Sequence, residues 1–245
     1  GRYEDAADAN RKGAAADLAY LAKTAPPDYY PMYLIHNFQF LGSAAGMEGR
    51  RHETIDALKE ARSHIPDQML FAMPGLDWSA SFIYDGYTKF GMWDDMLREP
   101  APSPKLPGAA ISYLQSRATA LAALGKIGEA NSELARTDQL IAAVPAEATQ
   151  GNNVAKPLYE IGQLKARARI ATAQGKNDEA IRLLKQAVAL EDFERHPEIP
   201  QARRALAHLE VVGHERVGED PLHNRVPALD VEQLPIAARD PISRR

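Results

Sequence analysis

Residues 161–194 read Ile161-Gly-Gln-Leu164-Lys165-Ala-Arg-Ala168-Arg169-Ile-Ala171-Thr-Ala-Gln-Gly175-Lys-Asn-Asp-Glu-Ala180-Ile-Arg-Leu-Leu184-Lys-Gln-Ala187-Val-Ala-Leu-Glu-Asp-Phe-Glu194. Small and apolar residues recur every three or four positions on both sides of Gly175. This predicts two helices, with the glycine stopping the first. The same device occurs five times in all, at Gly1…Ala6, Gly49…Thr54, Gly91…Met96, Gly125…Ala130 and Gly175…Ala180. Each time a glycine and four residues precede a small or medium residue that opens an apolar helical run. The glycines lie 48, 42, 34 and 50 residues apart. A helix stop followed at once by a helix start marks a helical-hairpin repeat. The expected fold is therefore all-α, built of antiparallel hairpins whose contacts join near neighbours in sequence.

Working outward, helices are expected at about 3–23, 32–47, 53–64, 76–90, 92–98, 109–124, 128–143, 155–173, 177–190 and 201–212. Alanine-rich stretches favour the first of these, and Ile55, Leu58, Ala61 and Ile65 form an apolar stripe on the third. Pro26-Pro27, Pro66, Pro145 and Pro197 punctuate them. Pro100, Pro102, Pro104 and Pro107 read as a stiff linker, and 145–153 as a polar loop. No strand pattern of useful length stands out. Gly213 is where a further hairpin should turn, but Pro221, Pro227, Pro235 and Pro241 follow, so 214–245 reads as an extended tail. Gly1 sits in mid-signature with no Met before it, so the chain reads as a fragment whose N-terminal part is missing.

The composition is that of a globular protein, 45% hydrophobic, with 33 acidic and 29 basic residues in 245. A net charge of -4 and the lack of a basic block give no pull toward nucleic acid. No apolar run reaches the roughly 20 residues that a membrane helix needs. With no cysteine there is no disulfide, thiolate metal site or cysteine nucleophile. This composition fits a soluble protein of either the cytoplasm or the periplasm.

The hairpins resemble the tetratricopeptide repeat. The best fit is 161–194, where Leu164, Ala168, Ala171, Gly175, Ala180, Leu184 and Ala187 fall in that family's order and spacing. Residues 111–144 match through Leu114, Ala118, Leu121, Gly125, Ala130 and Leu134, with Thr137 in place of the usual alanine. Residues 35–68 match through Phe38, Gly42, Ala45, Gly49, Thr54, Leu58, Ala61 and Pro66, while 77–110 is cut short at Pro100. The stretches Tyr30–Leu41 and Lys89–Pro102 look like a bacterial group of such proteins, although Gln39 and Met92 replace an expected His and Arg. The resemblance implies a right-handed α-α superhelix, a solenoid with a concave groove. It would span 1–213, with partial repeats near 1–25 and 200–213 and complete ones at 35–68, 77–110, 111–144 and 161–194.

The family's register puts the first helix of each pair on the groove. This assigns His36, Gln39, Phe40 and Ser43 to the groove in one repeat and Trp78, Phe82, Asp85 and Lys89 in the next. Gln115 and Thr119 follow in the third, and Lys165 and Arg169 in the fourth. Aromatic anchors flanked by polar groups suit peptide binding, although Trp78 and Phe82 also read as packing between hairpins. Lys165 and Arg169, four apart, suit an acidic group, but the asparagines of the family's carboxylate clamp have no counterpart. His36 reads as a hydrogen-bonded structural residue, since a metal site needs further ligands beside it. Asp94-Asp95 and Glu191-Asp192 point about 100° apart on a helix and form no acid–base pair.

The function these residues imply is a scaffold that binds another protein or peptide, with no catalysis and no cofactor of its own. A small-ligand groove around His36, Gln39, Trp78 and Asp85 is the alternative, as is a non-catalytic part of a larger enzyme. Neither nucleic acid nor a membrane is an expected partner. Self-association through the open N-terminal helix is a further expectation. A tail covering the last helix predicts that truncation after Gly213 lowers the melting temperature. An unchanged value means that the tail covers nothing.

Overall fold

The computed structural model describes residues 1–25, 27, 29–73 and 75–195, the last four as backbone only. Four of the recurring glycines, Gly49, Gly91, Gly125 and Gly175, lie in the left-handed region, at φ 75°, 65°, 76° and 74°. Each closes a helix in the same way. The glycine N–H bonds back to Gly46 O, Thr88 O, Ala122 O or Thr172 O. The N–H of the residue after it bonds to Ala45 O, Tyr87 O, Leu121 O or Ala171 O, at 2.9 Å in each case. This six-to-one bond with its inner partner is the Schellman motif.

The residue that closes one helix also opens the next. Arg50, Met92, Lys126 and Lys176 accept with their carbonyls from Thr54, Met96, Ala130 and Ala180, at 3.0 Å each. These acceptor–donor pairs explain the five-residue spacing in the sequence, because the residue five after the glycine is the first with its N–H in the new helical ladder. All four are buried, Thr54 at 2%, Met96 and Ala130 at 0%, and Ala180 at 5% exposure. Ala6 N–H bonds to Arg2 O at 3.1 Å and opens the first helix in the same manner.

The resulting helices are α1 (Tyr3–Leu21), α2 (Pro31–Met47), α3 (Arg51–Ser63), α4 (Asp67–Ala72), α5 (Phe82–Lys89), α6 (Trp93–Arg98), α7 (Pro107–Ala123), α8 (Ile127–Ala142), α9 (Ala155–Ala173) and α10 (Asn177–Arg195). Consecutive helices α1 and α2, α2 and α3, α7 and α8, and α9 and α10 pack as antiparallel pairs. Between pairs, α2 touches α5, α5 touches α7, and α7 touches α9, so the first helices form a continuous row. Second helices wedge behind this row, with α3 against α5, α6 against α7 and α8 against α9. The core follows this order. One cluster joins Ala7 and Ala14 to Leu34, Phe38 and Ala57. The next joins Ile55 and Leu58 to Tyr84, Tyr87, Met96 and Tyr113. A third joins Leu121 and Ala130 to Leu134, Ala166 and Ile170. Alanines at these crossings let the helices approach closely.

The expected single helix over 76–90 is instead a 3-10 turn, Asp77–Ser81, followed by α5, and α4 lies between 64 and 76, where no helix is expected from the sequence. Pro107 is the first residue of α7 rather than the end of the linker. At that position its missing N–H costs nothing. The loop before α9 holds a two-residue antiparallel ladder, with Thr149 opposite Val154 and Gln150 opposite Asn153. These irregular pieces are tied to the repeats by a remote cap, because Asp77 Oδ2 accepts from the N–H groups of Gly108 at 2.6 Å and Ala109 at 3.3 Å. Tyr159 packs beside this cap, and burial, with the Asp77 charge adding to it, pushes its phenol up to about 12. The expected helix at 201–212 and the tail 214–245 lie outside the described residues.

A matched pair of substitutions isolates the turn geometry. Neither Gly125 nor Gly128 has an atom within 4 Å of where a Cβ would sit, but only Gly125 has positive φ. Gly125→Ala is expected to lower stability by about 1–2 kcal/mol through the left-handed backbone. Gly128→Ala, inside α8, is expected to raise it by about 0.5–1 kcal/mol. Urea denaturation of the two variants should show opposite signs, and equal signs would refute the turn argument.

Candidate functional site

The row of first helices presents two separate cavities, each of about 360 Å3. The first lies where α2 meets α4 and the 3-10 turn. Met32, Ile35, Ile65, Met69, Leu70, Met73 and Leu76 make it largely apolar, with His36, Gln39 and Trp78 at its polar edge. Gln39 donates to Ser79 O at 3.3 Å and thereby ties α2 to the turn. Trp78 stands 5.5 Å from Phe82. The Trp78 indole Nε1 is buried and has no acceptor among the described residues. His36 is exposed and lies tilted against Phe40, with ring centroids 4.2 Å apart, and Phe40 is itself 53% exposed.

The second cavity runs across α5, α7 and α9. Asp85 and Thr88 come from α5, Ser112, Gln115, Ser116 and Thr119 from α7, Gly162, Lys165, Arg169 and Thr172 from α9, and Leu184 from α10. Five of the twelve residues assigned to the groove, Asp85, Gln115, Thr119, Lys165 and Arg169, therefore share one space. His36, Gln39 and Trp78 share the other. Asp85 thus lines a different cavity from His36, Gln39 and Trp78. Phe40 and Ser43 are exposed on α2 outside both cavities, and Lys89 reaches Met47 Sδ at 3.6 Å. Phe82 is partly buried against the core cluster of α3, α5, α6 and α7, so its packing role holds here.

Gln115 is not free for a ligand in the way its position suggested. Its Nε2 donates to Tyr159 O at 2.8 Å, clamping α7 to α9, and Gly162 leaves no room there for a Cβ. Asn37, beside His36, is also structural. It donates to Asp17 Oδ2 at 2.8 Å, and the other Asp17 oxygen accepts from Tyr30 OH at 2.9 Å. Thr119 and Thr172 donate to the carbonyls of Gln115 and Ala168 one turn back in their own helices. Thr88 donates to Asp85 O. These hydroxyls thus present oxygen acceptors to the cavity, with their protons already engaged.

The charges of the second cavity behave differently. Arg169 lies over the Trp93 ring, its guanidinium carbon 5.5 Å from the centroid. Trp93 was missed from the sequence because it belongs to the helix after Gly91, outside the first-helix register. Neither Lys165 nor Arg169 has a carboxylate within 4 Å among the described residues. Asp85 is open to the groove, but the surrounding protein raises its carboxyl above the ordinary value by desolvation, and Lys165 opposes this. Solvent contact through the groove mouth moderates the shift. A larger, more open hollow of about 1060 Å3 lies at the Gly175 turn. Its ionic side chains include Arg167 and Arg182, which already hold Asp138 and Glu179. Among the described residues, no group of three His, Cys, Asp or Glu side chains is placed to hold a metal, and no helix is long and apolar enough to cross a membrane.

No protein-family model, curated protein or solved structure matches this sequence. What fold and site define together is an all-helical protein of sequentially packed hairpins with two cavities on its row of first helices.

The Asp85 shift has a definite sign. Its folded-state pKa lies above the unfolded value, so its contribution to stability is full below the unfolded pKa and is lost as pH rises through the folded one. Asp85→Asn is therefore expected to melt higher than the parent at pH 7 and to match it at about pH 3, below the ordinary carboxylate range. Calorimetry at the two pH values checks this, and a lower melting temperature at pH 7 would show that Asp85 is favourably paired instead.

Proposed function

We propose that the chain is a tetratricopeptide-like binding module, a right-handed helical-repeat scaffold that grips an extended segment of a partner protein along its row of first helices and performs no catalysis itself. The observation that carries this reading is the meeting of Asp85 from α5, Gln115 and Thr119 from α7, and Lys165 and Arg169 from α9 in one open cavity across three successive first helices. A residue from each of three repeats on one space is what a surface reading an extended chain requires. The repeat core supports it. Four turns of the same geometry set successive hairpins in register, and the glycine, buried fifth residue and alanine crossings follow the family's pattern. The threonine hydroxyls of the cavity donate to their own helices, so they favour recognition over nucleophilic chemistry.

A second reading has one specific observation in its favour. The apolar cavity beside α2 holds the buried Trp78 Nε1, which has no acceptor among the described residues. A small apolar ligand carrying one acceptor atom would satisfy that donor, and a buried polar group left unpaired is costly.

Selection of peptides from a randomised library on the immobilised protein tests the scaffold reading. Thr119→Trp fills the groove, whereas Gln139→Trp alters the exposed face of α8. The selected peptides are expected to bind the groove variant at least about tenfold more weakly, some 1.4 kcal/mol, and the α8 variant as the parent. Circular dichroism verifies that both variants fold. Equal binding to all three proteins, or no enrichment of any peptide, would overturn the proposal.

A further inference from the structure

We infer that the segment held in the groove is acidic, and that its aspartate or glutamate side chains dock on Lys165 and Arg169. The inference rests on the scaffold reading and names its partner's chemistry. Its basis is an imbalance of partnered charge. Arg62, Arg117, Arg167 and Arg182 each hold a carboxylate of this chain within 4 Å. Among the described residues Arg169 holds none and rests instead on the face of Trp93. The contrast is sharpest within α9. Arg167 turns toward α8 and grips Asp138 at 2.6 Å, whereas Arg169, two residues on, lines the groove.

Lys165 stands one turn from Arg169 on the same face of α9, so the two cations act on one region of space. The charged side chains of this cavity are these two and Asp85, a surplus of one positive charge in a chain whose net charge is -4. The Trp93 ring supports the guanidinium from one side and leaves its N–H donors free to meet a carboxylate, where charge-assisted and bidentate bonds are strongest. The threonine and Gln115 donors are engaged within the protein, so the charged donors open to a ligand are the two cations, beside the hydroxyls of Ser112 and Ser116. The groove also runs on past α9 to α7 and α5, which suits a segment passing through.

The probe is an N-acetylated, C-amidated peptide of alternating glutamate and leucine, whose blocked ends exclude a terminal carboxylate, compared with its glutamine counterpart. Anisotropy at low salt is expected to show the glutamate peptide binding at least about tenfold more tightly, with the advantage fading as salt rises. Lys165→Glu/Arg169→Glu is expected to abolish the preference, and Lys165→Gln/Arg169→Gln to reduce it. Asp85→Asn is expected to strengthen it. The two tryptophans report the location, since the Trp93 indole N–H resonance should shift on titration while that of Trp78 stays. Equal affinity for the two peptides, a preference that survives both double variants, or a shift at Trp78 alone would overturn the inference. Library peptides that bind the groove without acidic residues would overturn it while leaving the scaffold reading standing. A failure of all peptides to bind would remove both.

Discussion

The structure depends on one backbone device, a helix end closed by a left-handed glycine whose following residue opens the next helix. Arg50, Met92, Lys126 and Lys176 each donate an N–H backward and accept with the carbonyl from the residue four ahead, so one residue serves both helices. The reversal needs no side-chain cap, and none of these four residues provides one. The geometry therefore repeats while the side chains around it vary. It also fixes what must be small or buried, because the residue five after the glycine enters the ladder where the two helices are closest.

Because each hairpin leaves one apolar face uncovered, the next hairpin must cover it, and the clusters of the core each take residues from successive pairs. The irregular pieces between α3 and α5 and between α8 and α9 survive in this scheme through polar ties. Asp77 reaches across more than thirty residues to bond the first N–H groups of α7. Gln115 does the corresponding work between α7 and α9. Polar side chains in this protein thus fall into two kinds. Some hold helices together, with their hydrogen-bonding capacity consumed by the backbone. Others, Lys165 and Arg169 above all, face the groove with their charge uncommitted.

Most helices were legible because apolar spacing and glycine or proline punctuation act locally. Helix α4 and the 3-10 turn were not, since Met69, Leu70 and Leu76 are held by contact with α2 and its neighbours rather than by any periodicity of their own. The ladder at Thr149–Val154 is too short to leave a pattern. Among the site residues, the register of first helices found Asp85, Lys165 and Arg169 but merged two cavities into one groove centre. His36 and Asp85 belong to different repeats, and only the packing of α2 on α4 and the turn separates their surroundings.

The sequence by itself determined the hairpins, since helix propensity, left-handed glycine and the buried fifth residue are properties of a few neighbours along the chain. It also determined which faces carry charge. Tertiary structure alone decided which charges were left over. Arg167 and Arg169 are the same residue type two positions apart, and at about 100° per residue they point to nearly opposite sides of α9. One side meets Asp138 of α8, and the other meets Trp93 and the groove. No local signal distinguishes them, because the carboxylate that engages one and the ring that supports the other come from helices distant in sequence.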